Sequence, residues 1–167
     1  ASEAAVLALS TLYPQDLVGV VAFATRPHWL VKLGFNSDPA GTADKVRSTS
    51  PGGGTSISAG VNAAVQALSN INTADAAVKH IIVITDGWGD YPNMLQLGGT
   101  LAQQNITIST IGVGDGHNAA QLQALAQTGQ GTFYPVIDPL NLPQVFIKEA
   151  RLIRKNLIRE LLFSPPL

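Results

Sequence analysis

Two runs of strand length, Leu17 to Ala24 and His80 to Thr85, are apolar at nearly every position and rich in valine and isoleucine. A strand with one face in water alternates apolar with polar side chains, so unbroken runs of this kind belong in a sheet covered on both faces. Between and after them come segments of helical spacing. Ser56 to Leu68 places Ile57, Val61, Ala64, Val65 and Leu68 on one face, with Thr55 or Ser56 as its N-cap, and Pro92 to Gln104 and Asn118 to Thr128 read as further helices. Ile106 to Val113 and Thr132 to Val136 read as strands. The alternation predicts an α/β fold with a doubly wound, mostly parallel sheet flanked by helices. One strand departs from this rule: His28 to Leu33 follows the first run after only Thr25-Arg26-Pro27, too short a link for a parallel crossover, so the two form an antiparallel hairpin at a sheet edge.

Residues 1 to 13 read as a helix stopped by Pro14, but no capping residue introduces it, so it looks like the interior of a longer element. A short helix is expected near Ala43 to Ser48. The last helix is expected over Asn141 to Leu161, burying Val145, Phe146, Ile153 and Leu157 and leaving Lys148, Arg151, Lys155 and Arg159 in water. The domain is expected to span residues 1 to 162, with 163 to 167 a linker carrying Pro165-Pro166.

Composition narrows the function. With 46% hydrophobic and 13% charged residues, the 167-residue chain can bury a core and is no disordered polyelectrolyte. A formal charge of -1 gives no long-range pull on nucleic acid or an anionic membrane, so neither is an expected partner. The absence of cysteine excludes disulfides, thiolate zinc sites and thiol catalysis. The apolar runs fall far short of the ~20 residues of a membrane span, so this segment is expected to be soluble, without direct membrane insertion. Charge is uneven: residues 148 to 160 carry five basic and two acidic side chains, a solvated helix face or a docking face for an acidic surface.

In open α/β sheets ligands sit outside the carboxyl ends of the strands, which selects the loops Gly52 to Ser56, Asp86 to Asp90 and Gly114 to Asn118. Gly53-Gly54-Thr55-Ser56 resembles a phosphate loop only in its glycines, for no lysine lies between Lys45 and Lys79. Asp86 follows an apolar strand directly, so its carboxylate must be solvated, paired or metal-bound. A carboxylate and a hydroxyl, Asp86 and Thr55, suit a hard cation such as Mg²⁺ or Mn²⁺. Trp88 and Tyr91 either rim a partner site or pack back on the domain. Gly112-Val113-Gly114-Asp115-Gly116 imitates a dinucleotide fingerprint but lacks the last spaced glycine, and no Gly-x-Ser-x-Gly elbow is present. Hydrolysis by Asp86 and His117 is the least supported chemistry.

Asp16-Leu17-Val18-Gly19-Val20-Val21-Ala22-Phe23, Pro51-Gly52-Gly53-Gly54-Thr55-Ser56-Ile57, Lys79 through Gly87, Ile106 to Gly114 and Gly131-Thr132-Phe133-Tyr134, in this order and spacing, resemble a von Willebrand factor type A domain. The resemblance implies a non-enzymatic binding domain with a metal-ion-dependent adhesion site, where the carboxylate of a protein or peptide partner completes the coordination of Mg²⁺ or Mn²⁺. It assigns Thr55 and Asp86 to the metal, with Ser56, Trp88, Asp115 and His117 as candidates for the rim. The family's Asp-x-Ser-x-Ser motif does not occur here, so the site is incomplete in this chain and its cation weakly held or absent. The family's first strand, which carries that motif, lies between the strands matched by Leu17 to Ala24 and His80 to Thr85. That slot is expected to be filled by a strand, the chain's own or that of a strand-exchanged homodimer. Leu142 through Arg151 resembles bacterial members embedded in a larger membrane-associated protein with an amidotransferase-like region, and the alternative expectation, second to the cation-centred one, is a metal-independent scaffold or docking domain of such a protein.

Overall fold

The computed structural model describes residues 6, 9–10, 12–23, 25–48, 56–71, 78–85, 88–114, 118–149 and 151–152. Strands β1 (Leu17–Phe23) and β2 (Pro27–Phe35) form the expected antiparallel hairpin. Helix α1 (Pro39–Arg47) starts four residues earlier than its sequence suggests, because Asp38 accepts the Gly41 N–H at 3.0 Å and Pro39 suits the first turn. Helix α2 (Ile57–Ser69) is capped by Ser56, which resolves the choice of cap. Then follow β3 (Lys79–Thr85), α3 (Met94–Gln104), β4 (Ile106–Val113), α4 (Ala119–Thr128) and β5 (Gln130–Val136). Asn93 and Asn118 cap α3 and α4, each by accepting a backbone N–H three residues on. The last helix, α5, is described over 142–149 and 151–152; Ile153, Lys155, Leu157 and Arg159 lie outside the described residues.

β3, β4 and β5 form a parallel sheet in that order. β5 begins two residues before the predicted start, at a place the pattern hides. A Cβ on Gly131 would lie 2.0 Å from the Ile108 carbonyl oxygen, so the glycine that interrupts the apolar pattern is what admits β4's backbone. One face of this sheet, carrying Ile81, Val83, Ile106 and Ile108, is covered by α2, α3 and α4 through Ile57, Val61, Val65, Leu97, Leu101 and Leu125. The other carries Ile111 and Val136 and receives Leu142 and Phe146 of α5. The α/β fold with helices on both faces is therefore present. Of the predicted α5 stripe, Phe146 is buried and Val145 half-buried, while Lys148 and Arg151 are exposed.

Among the described residues β1 makes no ladder with β3: the chain forms one two-stranded and one three-stranded sheet. Both pack on α2, which touches β3 through the core cluster and β1 where Gly60 meets Phe23, so closely that a Cβ on Gly60 would lie 2.8 Å from that of Phe23. β1 is less buried than its apolar run predicts: Val18 is its one fully covered residue, and among the described residues no strand other than β2 pairs with it. Direct closure of the two strands is absent from the described residues.

The second face also holds a charge that the apolar stripe of α5 did not predict. Glu149 is 4% exposed, and its carboxylate accepts from His80 Nε2 of β3 at 2.9 Å, from Ser109 of β4, and from Tyr134 OH of β5 at 2.5 Å. His80 Nδ1 lies 2.6 Å from Thr107 Oγ1, so both ring nitrogens are engaged and the histidine is a packed, hydrogen-bonded group. Burial opposes the Glu149 charge, but the hydrogen bonds from His80, Ser109 and Tyr134 outweigh it and hold the carboxyl below its ordinary value. Burial and the neighbouring carboxylate push the Tyr134 hydroxyl up to about 12.

Both shifts make stability depend on pH. A carboxyl whose folded pKa is depressed stabilises fully above its unfolded value, and that contribution is lost as pH falls through the folded value. A phenol whose folded pKa is raised loses stability as pH climbs from the ordinary 10.0 toward about 12, where only the unfolded chain has ionised. Urea midpoints measured across pH should therefore fall at both extremes. The acid limb should shrink in Glu149→Gln and the alkaline limb in Tyr134→Phe; limbs unchanged by these substitutions would show that other groups set them.

Candidate functional site

Because β3, β4 and β5 are parallel, Thr85, Val113 and Val136 all end at one edge, where the Gly114 N–H donates to the Val136 carbonyl at 2.8 Å. The start of α2 lies at the same edge. Ser56 Oγ accepts the Ala59 N–H at 3.2 Å as a cap and donates to Asp90 Oδ2 at 3.2 Å, while the Ser58 N–H donates to the Asp90 carbonyl at 3.1 Å. Residues 56 and 90 also form an isolated parallel bridge. The loop after β3 is thus tied to the helix that follows the glycine-rich segment, across 34 positions of sequence.

Of the six residues singled out by sequence, Ser56 and Trp88 are described. Ser56 is half-buried and committed to the cap and to Asp90; Trp88 is 63% exposed. Tyr91 takes the other course open to these aromatics and packs against the core cluster. Thr55, Asp86, Asp115 and His117 lie outside the described residues. The residue that sequence reasoning missed is Asp90. Its signal was available: it stands at the end of the selected loop, but a carboxylate that holds a helix start has no spacing rule to announce it.

The edge is acidic. Positions 86–93, 114–118 and 137–141 hold Asp86, Asp90, Asp115 and Asp138 and no lysine or arginine. Asp90 and Asp138 are exposed, the latter accepting the Leu140 N–H at 3.0 Å. The four carboxylates offer oxygen donors suited to hard cations, and His117 in the same segments adds a nitrogen. Among the described residues no three His, Cys, Asp or Glu side chains are grouped closely enough to hold a metal. No described helix is long and apolar enough to cross a membrane.

Comparison with known proteins gives this arrangement a family. The Synechocystis protein sll0103 is 28% identical over 140 residues, covering 82% of this chain and 33% of that protein, so the chain spans about a third of the curated relative it matches. The structure of BatB from Bacteroides thetaiotaomicron superposes with a TM-score of 0.75 at 21% identity, over 92% of this chain and 86% of that one. Proximal thread matrix protein 1 from the mussel byssus, in a form with a zinc-occupied MIDAS motif, superposes with a TM-score of 0.72 at 20% identity, over 90% of this chain and 39% of that one. A family model for the von Willebrand factor type A domain, a domain that generally mediates protein–protein interaction, matches residues 3–147. The chain belongs to the von Willebrand factor type A domain family.

Proposed function

We propose that the chain is a non-enzymatic binding module whose carboxyl-edge loops capture a protein or peptide partner through a cation. The observation that carries this reading is the tie between Ser56 and Asp90. Thr55 directly precedes Ser56 in sequence and Asp86 stands four residues before Asp90, so the tie joins the two segments to which the expected ligands belong. Thr55 and Asp86 would hold Mg²⁺ or Mn²⁺, which when bound supplies an open coordination position for a partner's carboxylate. Asp90 would fix the loop, and Asp115 and His117 would border the site. With the Asp-x-Ser-x-Ser donors absent from the sequence, binding by residues 1–167 alone is expected to be weak.

A chain carrying the family's first strand ahead of residue 1 gives the sharpest test. Its capture of a carboxylate-bearing partner should be cation-dependent, and Asp86→Ala should weaken that capture by roughly tenfold or more without moving the melting temperature. Capture that ignores both chelator and the substitution would overturn the reading.

That outcome would favour a second one, docking without metal. A groove along the outer face of α5, lined by Gln144, Ile147, Lys148, Arg151 and Leu152, joins apolar and basic side chains and suits an acidic surface. In a larger, membrane-associated protein such as the tail resemblance suggests, this face would serve as a scaffold contact.

A further inference from the structure

We infer that the outer face of α5 seats an acidic amphipathic helix of a partner protein, laid along the groove with its carboxylates against Lys148 and Arg151. The inference rests on the metal-free reading of that face, names the partner's chemistry, and needs no cation at the carboxyl edge.

The groove has the form of a helix seat. Its lining residues stand at i, i+3, i+4, i+7 and i+8 counted from Gln144, a single stripe along the helix. Gln144, Lys148 and Leu152 make one ridge of four-residue spacing and Ile147 with Arg151 the next, and the furrow between two such ridges is where a ridge of another helix packs. An extended peptide, whose side chains repeat every second residue, has no matching period.

Burial sorts this stripe from the rest of α5. Leu142, Phe146 and Glu149 are buried, whereas Gln144, Lys148, Arg151 and Leu152 are exposed and Ile147 is half-buried. The inward turn of Glu149 sets the charge of the outer face. Of the five basic and two acidic side chains in residues 148–160, Glu149 is already engaged by His80, Ser109 and Tyr134, so the described part of the stripe carries two cations and no anion. Among the described residues neither Lys148 nor Arg151 is in an ion pair, whereas Arg47 has Asp44 3.8 Å away on its own helix. Lys148 Nζ lies 5.9 Å from the centre of the Tyr134 ring, which holds the ammonium beside the groove. At 100° per residue, Ile147 falls on one flank of the two cations and Leu152 on the other. The complement of this face is a helix with acids between leucines, and a basic helix would meet like charge.

The test uses the chain carrying the family's first strand, with chelator present throughout, and labelled synthetic peptides read by fluorescence anisotropy. One peptide is a helix with glutamates and leucines at alternating three- and four-residue spacing on one face; a second has lysine for glutamate, and a third has two prolines in its middle to break the helix. The acidic helix should bind, and more weakly as salt is added. Lys148→Glu with Arg151→Glu should weaken it by about tenfold or more and create binding of the lysine helix. The milder pair Lys148→Gln with Arg151→Gln should weaken it by roughly threefold at an unchanged melting temperature, which keeps the test readable if the reversed charges disturb Tyr134. Leu152→Ser should cost about threefold, and Lys32→Glu on the exposed side of β2 nothing. Equal binding of the proline peptide, with the charge dependence intact, overturns the helical partner and leaves metal-free docking standing. Binding blind to both charge pairs overturns the seat on α5. If no peptide binds but the chain sediments with phosphatidylserine vesicles until the charges are reversed, the partner is an anionic membrane and the inference falls. Binding of neither peptides nor vesicles overturns it together with the metal-free reading, and leaves the cation-bridged reading to its own test.

Discussion

Replacing Glu149 by alanine should destabilise the domain by about 3–5 kcal/mol, enough to unfold a sizeable fraction of a domain of ordinary stability. The size follows from what stays behind. The carboxylate is the common acceptor for donors on three successive strands, His80, Ser109 and Tyr134, and its loss orphans all three beneath α5, where an unmet donor costs ~1–3 kcal/mol. Substitution at the strand ends of the network should cost less. Tyr134→Phe and Ser109→Ala each remove a donor and leave Glu149 two of its three, so ~0.5–1.5 kcal/mol is expected for each. Glu149→Gln should fall between, because an amide keeps one acceptor oxygen and adds two donors with nothing to meet. Combining Tyr134→Phe with Glu149→Ala should cost less than the two separate losses added together, since the orphaned phenol has gone. Urea unfolding of the series measures these values. Strict additivity, or a Glu149→Ala loss below about 1 kcal/mol, would mean that water satisfies the network and that α5 is held by Leu142 and Phe146 alone.

This carboxylate also marks where the sequence stopped being legible. Helix and strand alternation was readable because periodicity reports burial, and Ile106–Val113 matches its expected bounds residue for residue. Starts set by caps were readable where the cap preceded a periodic run, as at Asn118, and were misjudged at α1, whose only buried residue, Val46, gives no period to follow. Glu149 sat among Lys148, Arg151 and exposed neighbours, and nothing in a helical pattern distinguishes a glutamate that turns inward from one that stays in water. The partners that decide it lie 15, 40 and 69 positions away in sequence. The site was legible to the same degree. Its loops follow from the rule that ligands gather at the carboxyl edge, but Asp90's bond to Ser56 depends on a tertiary approach across 34 positions that no local spacing encodes.

Among the described residues no ladder joins β1 to β3, and the slot between them gives the second large effect. We propose that a strand enters between them and turns the two sheets into one of six strands, ordered β2, β1, the added strand, β3, β4, β5. α2 already spans the slot, touching β1 through Gly60 and Phe23 and β3 through Val61, Val65 and their neighbours, so the covering layer for the added strand is in place. The approach of a donor is also constrained. Residues 6 and 9 are helical ahead of β1, and a strand preceding that helix would reach the slot by the strand–helix–strand crossover that parallel neighbours require. Left open, each flanking strand presents a row of N–H and C=O groups beside apolar surface, the arrangement that recruits strands from other molecules. Residues 1–167 expressed alone should therefore run in solution as strand-exchanged assemblies of at least twice 17.5 kDa. A chain given an apolar strand ahead of residue 1 should run as a monomer, and amide exchange at residues 17–23 and 79–85 should slow by orders of magnitude as their ladders close. The decisive contrary result is a 17.5 kDa monomer of residues 1–167 that unfolds cooperatively and protects both sets of amides. Such a chain would have to pair β1 with β3 directly, drawing the two ends of α2's contact surface together by one strand spacing, ~4.8 Å. Phe23 could not then keep its seat against Gly60, and Gly60→Ala, which the close approach forbids as it stands, would become tolerable.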